Sequence, residues 1–118
     1  MRNTARETKK RMNEDPTWWK IPLMDFVDDF RYYKDPAMIA EPFELGDERK
    51  DAVLASVIET LCFEMDINIP EWLSQVPACA KPYFLAEMET LKAFSLLETP
   101  PYFRIRKVFV MENFLHRV

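Results

Sequence analysis

Asp47-Glu-Arg-Lys-Asp-Ala-Val-Leu-Ala-Ser-Val-Ile-Glu-Thr-Leu-Cys-Phe-Glu-Met65 decides the fold class. Val53, Leu54, Val57, Ile58, Leu61, Cys62 and Met65 recur with the period of an α-helix, opposite Arg49, Lys50, Glu59 and Glu64. Asp47 is a suitable N-cap, because its short carboxylate can accept from the free amides of a first turn. The spacing therefore predicts a helix over 48–65 with one broad apolar face.

Working outward, Leu23, Phe26, Val27 and Phe30 repeat at helical spacing with Asp25, Asp28 and Asp29 on the other side, so a helix is expected over 22–33. Asp35-Pro36 ends it, and 37–40 has room for one turn before the connector that holds Gly46. Pro70 suits the first position of a short helix over 71–75, and 77–82 reads as a linker carrying Cys79. Phe84, Met88, Leu91, Phe94 and Leu97 supply another apolar face, predicting a helix over 83–98 that Pro100-Pro101 stops. Tyr102 to Lys107 can form a short helix and Glu112 to Arg117 a final turn. Between them, Val108-Phe-Val110 has high β-propensity but no evident partner strand, so an extended segment on the helices, or an edge open to another chain, is expected there. One glycine against nine prolines leaves proline as the main punctuation between helices.

The fold expectation is an all-α single-domain bundle of four to five helices with Pro-rich connectors and a short extended segment near the C-terminus. Residues 1–14, polar and without an evident apolar face, read as a flexible or partner-ordered arm, and 15–118 as one helical domain. With 118 residues, 48% of them apolar, the chain has material for one core.

Charge is uneven. Residues 1–20 carry +3, 21–99 carry −10 and 100–118 carry +3, giving −4 in all. Basic ends around an acidic centre suit self-association or a protein partner better than a continuous nucleic-acid track. The N-terminus has no apolar run and no stretch spans a bilayer, so a soluble, cytoplasmic protein without a membrane partner is expected. Two cysteines make no disulfide framework, and Cys62 on the apolar stripe reads as a buried thiol.

Catalytic signatures are scarce. His116 is the only histidine, which leaves no triad and no His-rich metal site, and a single glycine cannot build a phosphate-cradling loop. No enzyme, metal or cofactor is expected on these grounds. The adjacent carboxylates Asp28 and Asp29 point in different directions on a helix and read as a solvated face. Among aromatic residues, tandem Trp18-Trp19 stands out, because two neighbouring indoles cannot both face one core, so at least one is expected to touch a partner or the N-terminal arm. Tyr102, Phe103, Arg104 and Arg106 form a basic aromatic patch with Lys107 and Phe109. Its alternatives are solvated helix charges or contact with the acidic face of a second subunit. Partner contacts are assigned to Trp18, Trp19, Tyr102, Phe103, Arg104 and Arg106.

The segments Asp51-Ala-Val-Leu-Ala-Ser-Val-Ile-Glu-Thr-Leu61 and Ile69-Pro-Glu-Trp72 precede a closing Pro-x-x-Phe-Arg-x-Arg-x-x-Phe-Val-x-x-x-x-Leu-x-Arg that starts at Pro100. Over about residues 47–118 this order resembles a widespread group of small bacterial helical proteins. Members often stand beside a nucleotidyltransferase-like toxin as its non-catalytic partner, or follow a helix-turn-helix domain. The resemblance implies an antitoxin-like or regulatory interaction module whose partner is another protein, such as a toxin-like enzyme, with Arg104, Arg106, Phe109 and Leu115 at the matching positions. Rival readings are a nucleic-acid-binding regulator using the basic termini, and a small-ligand carrier or enzyme that would need a concave pocket.

Overall fold

The computed structural model describes residues 3–85, 89–111 and 114–115. Five α-helices surround one core: α1 (Ala5–Glu14), α2 (Lys20–Tyr33), α3 (Glu48–Met65), α4 (Glu89–Glu98) and α5 (Pro101–Ile105). Short 3-10 turns occupy Pro36–Ile39 and Glu71–Gln75. Two strands of two residues, β1 (Tyr83–Phe84) and β2 (Val108–Phe109), pair in parallel. The all-α bundle expected from the sequence is what forms.

α3 is the central element, packed by α1, α2, α5 and β2. Asp47 caps it as expected, its Oδ1 accepting from the amides of Arg49 at 3.0 Å and Lys50 at 3.2 Å. Every residue from Asp51 to Ile58 is buried, so the helix is enclosed on more sides than one apolar stripe implied. Ala52, Ala55 and Ser56 make this feasible, because their small side chains let neighbouring helices approach closely while Leu54, Ile58 and Leu61 fill the interior. Phe26 and Phe30 of α2 stack at 5.6 Å within the same core.

The N-terminal segment differs from the arm expected of it. Residues 5–14 form α1, capped by the Thr4 hydroxyl accepting from the Glu7 amide at 3.1 Å, and Ala5, Thr8, Lys9 and Met12 face inward. This i, i+3, i+4, i+7 face escapes notice in the sequence because only two of its four residues are apolar. Lys9 is buried against Asp51 of α3, its Nζ 2.6 Å from Oδ1. The ammonium lies off the direction along which it could donate to that oxygen, so the pair is held mainly by charge. It also donates to the Glu44 carbonyl at 3.2 Å and sits over the Phe43 ring, while Asp51 Oδ2 accepts from the Gly46 amide at 3.0 Å.

Proline punctuates as expected at Pro36, Pro70 and Pro100-Pro101, each of which opens an element, but it does not end every helix. α2 and α3 end on Lys34 and Asp66 in the left-handed region, at φ 52° and 56°, and α5 is followed by Lys107 at φ 60°. None of these is glycine, and Gly46 has no positive φ.

Two further differences lie near the C-terminus. Tyr83 and Phe84, expected to open a helix, instead form β1, and the extended segment at Val108–Phe109 pairs with it. Phe84 stacks on Phe109 at 5.0 Å, which ties the strands by side chain as well as by backbone. Met88, and most of the final turn expected over 112–117, lie outside the described residues.

Removing one partner of the buried Lys9–Asp51 pair leaves an uncompensated charge inside the protein. Lys9→Met is expected to lower unfolding free energy in urea by about 3–5 kcal/mol. Adding Asp51→Asn should recover part of the loss, since its amide oxygen keeps an acceptor for Gly46; no recovery would show that packing of the lysine stem, not charge, dominates. Lys34→Gly is expected to stabilise by roughly 0.5–1 kcal/mol, by relieving the left-handed backbone.

Candidate functional site

The six residues assigned to a partner surface divide between surface and interior. Phe103 is fully buried, edge-on to Phe114 at 6.0 Å. Arg106 is buried too, its Nη1 paired with Glu59 of α3, its Nη2 donating to the Leu73 carbonyl at 2.7 Å and its Nε to the Val76 carbonyl at 3.4 Å. Both assignments to a partner are therefore corrected: these side chains hold α5 against α3, and no approaching protein can reach them. The sequence disguised them because a buried arginine needs a distant acceptor, here 47 residues away, that local spacing does not reveal.

Arg104 is exposed and donates to the Thr99 carbonyl at 3.2 Å. Tyr102 is half-buried, its ring 6.1 Å from that of exposed Phe63. Trp18 is 60% exposed at the corner between α1 and α2, whereas Trp19 is half-buried against the core. The tandem indoles thus part company, as adjacent residues on one turn must.

These surface residues do not converge. Trp19 lines a cleft of about 190 Å³ with Pro16, Asp47, Arg49, Lys50, Val53 and Tyr83, at the N-terminal end of α3. Tyr102 lies near Phe63 at its C-terminal end, ten residues or about 15 Å beyond Val53 along the helix axis.

In the Trp19 cleft, the Arg49 guanidinium stacks over Tyr83 at 5.0 Å and Lys50 lies 3.5 Å from Asp47. Partial burial works to raise the Asp47 carboxyl. The Lys50 and Arg49 amides and the Lys50 charge outweigh it, holding the group below its ordinary value. With Asp47 already occupying the first turn of α3, the amides there are not open to an anion. A second, apolar groove of about 230 Å³ runs between Phe43, Leu45 and Trp72. Both lie below the roughly 300–1,000 Å³ usual for small-molecule sites.

The cysteines are buried apart from one another. Burial, reinforced by the nearby Glu59 charge, pushes the Cys62 thiol up to about 11. Burial likewise raises Cys79, with Glu48 adding to it and Arg49 opposing. Both are therefore thiols, not thiolates, at neutral pH. Among the described residues, no three His, Cys, Asp or Glu side chains gather as metal ligands, and no helix is long and apolar enough to cross a membrane.

The surface that sequence reasoning missed is on α4. Leu91, Phe94 and Leu97 belong to the apolar face expected of this helix, but that face turns away from the core. Only Ser95 is buried; Phe94 is 49% and Leu97 83% exposed. The inward side is small and polar: the Thr99 hydroxyl donates to the Ser95 carbonyl and accepts from the Val110 amide at 3.1 Å, clamping the end of α4 to the chain just after β2. Lys92 lies over the Phe84 ring at 5.9 Å. One signal was present in the sequence, namely that Leu91, Ala93, Phe94, Leu96 and Leu97 are too many apolar residues for one face of ten residues.

No protein-family model, curated protein or solved structure matches the chain. The surface chemistry is what remains to speak for function.

Two outcomes are expected. Glu59→Gln should lower stability by about 3 kcal/mol, because it strands the Arg106 guanidinium, whereas Arg104→Glu should change stability by less than about 0.5 kcal/mol in the same urea titration. For Cys62, the folded thiol holds its proton to higher pH than the unfolded one. The unfolded chain therefore ionises first, and stability should fall as pH rises from about 9 to about 11. Cys62→Ala should shallow that slope; an identical slope in both proteins would assign it to other groups.

Proposed function

We propose that the protein is a non-catalytic protein-interaction module, of the regulatory or antitoxin-like kind that the closing motif implies, and that it meets its partner through the outer face of α4. One observation carries this reading: α4 turns a polar side to the core and its large apolar side chains to solvent. Leaving Leu97 in water forgoes roughly 1.5–3 kcal/mol of burial, and contiguous exposed apolar surface of this kind marks sites that another molecule covers. Ile105 on the next helix and Phe63 over Tyr102 add further exposed apolar surface. Arg104, exposed on α5, can supply a charge at the rim.

The nucleic-acid alternative gains less support. Of the cations in the basic termini, Lys9 and Arg106 are buried against Asp51 and Glu59, and Arg6 lies 3.1 Å from Glu41. The charge left for phosphates is correspondingly smaller.

The test is co-purification of the tagged chain from lysate of its own source at moderate salt. A protein recovered at stoichiometric level should be lost with Leu97→Glu and with Phe94→Asp, while far-UV circular dichroism stays unchanged. If that protein is an enzyme whose activity the wild-type chain suppresses and the Leu97→Glu chain does not, the antitoxin form is supported. Undiminished recovery with both variants would sink the α4 face as the contact.

A further inference from the structure

We infer that a second copy of this chain covers the outer face of α4, the two helices running antiparallel about a two-fold axis between Ala93 and Phe94. This rests on the reading of that face as an interaction surface and names its occupant.

Ser95 and Thr99 fix the rotation of α4 by facing inward. The side turned farthest from them carries Thr90, Ala93, Phe94 and Leu97, at i, i+3, i+4 and i+7. This is the spacing of a helix–helix seam, and all four residues are uncharged and exposed. The order along the seam is small, small, large, large. Antiparallel pairing about its midpoint sets Leu97 against Thr90 of the second copy and Phe94 against its Ala93, so each large side chain meets a small one, twice by symmetry. Parallel pairing would set Phe94 on Phe94 and Leu97 on Leu97, and leave gaps at Thr90 and Ala93.

The charges bordering the seam do not by themselves choose this register. Glu89 and Lys92 lie along one flank, 3.3 Å apart. An antiparallel two-fold brings that flank to its own copy, which sets the two Lys92 ammoniums three positions, about 4.5 Å, apart along the axis, each beside its own Glu89. Glu98 borders the other flank. In this register the two Glu98 residues are nine positions, or about 13 Å, apart along the helix axis, beyond the Debye length at physiological salt.

The area sets the strength. The outward side chains of one α4 expose apolar surface on the order of 350 Å². Two copies with their polar rims bury about 1,000 Å², the lower end for a specific interface. The dimer is therefore weak and exchangeable. A partner with a better-fitting apolar groove would displace the second copy from the same face.

Sedimentation velocity of the full chain over roughly 1–300 µM should show the 14.1 kDa species giving way to one of twice that mass, with a midpoint at least about thirtyfold higher for Leu97→Glu. Register is read independently by mixing Thr90→Cys and Leu97→Cys chains under mild oxidation, with the wild type as control for its two buried cysteines. The mixed disulfide dimer should predominate over either self-linked species. A mass of one chain throughout, a dimer indifferent to Leu97→Glu, or self-linked Leu97→Cys as the main product would each overturn the inference. A monomer whose Leu97→Glu variant still loses a co-purifying protein overturns self-pairing alone; a chain in which both readouts ignore Leu97→Glu overturns the α4 face as well.

Discussion

The buried ion pair between Arg106 and Glu59 is the constraint on which the arrangement of the C-terminal half depends. The guanidinium presents several donors in a fixed plane, and here they are directed to a carboxylate on α3 and to the carbonyls of Leu73 and Val76 around the second 3-10 turn. The carbonyl of the same residue accepts from Cys79 at 2.9 Å, and the next carbonyl, of Lys107, accepts from Tyr83 at 2.8 Å. One residue therefore positions α5, the 3-10 turn and the linker, and delivers the chain to the register in which β2 meets β1. The pair is not net stabilisation in itself, since a desolvated ion pair barely repays its loss of water. Its effect is selective: any packing that separates Arg106 from Glu59 strands two charges.

A second buried pair, Lys9 with Asp51, does the same for the N-terminal half by holding α1 on α3. The two acidic partners, Asp51 and Glu59, are eight residues apart on α3. The central helix thus carries its apolar interior between two fixed charges, each answered by a cation from one end of the described chain. The basic ends around an acidic centre, visible in the sequence, are partly internal wiring. Self-association is not needed to explain those two cations.

Legibility followed locality. α3 and its Asp47 cap, the Pro36 break, the turn over 71–75 and the Pro100-Pro101 stop were all readable, because each depends on residues within a turn or two of one another. α1 was not, because half of its inward face is Thr8 and Lys9, and a lysine reads as surface unless its carboxylate, 42 residues on, is known. Phe103 and Arg106 were misplaced for the same reason. α4 failed differently: its apolar residues were seen, but which side of a helix faces the core is settled by what it rests on. Here that support is Thr99 and the chain after β2, reached through a hydroxyl. Of the candidate surface residues, Trp18, Arg104 and parts of Trp19 and Tyr102 remain available, and the face that best fits a partner came from orientation alone.

The separation of Glu59 from its counterion has a consequence during synthesis. Arg106 follows Glu59 by 47 positions. At roughly 5–20 residues per second, about 2–10 s of synthesis separate Glu59 from the guanidinium that will neutralise it. Throughout that interval, the most deeply buried helix among the described residues carries a carboxylate whose native counterion does not yet exist. Burial of Glu59 in its native surroundings therefore waits until residue 106 has been made, although α3 itself is complete before then.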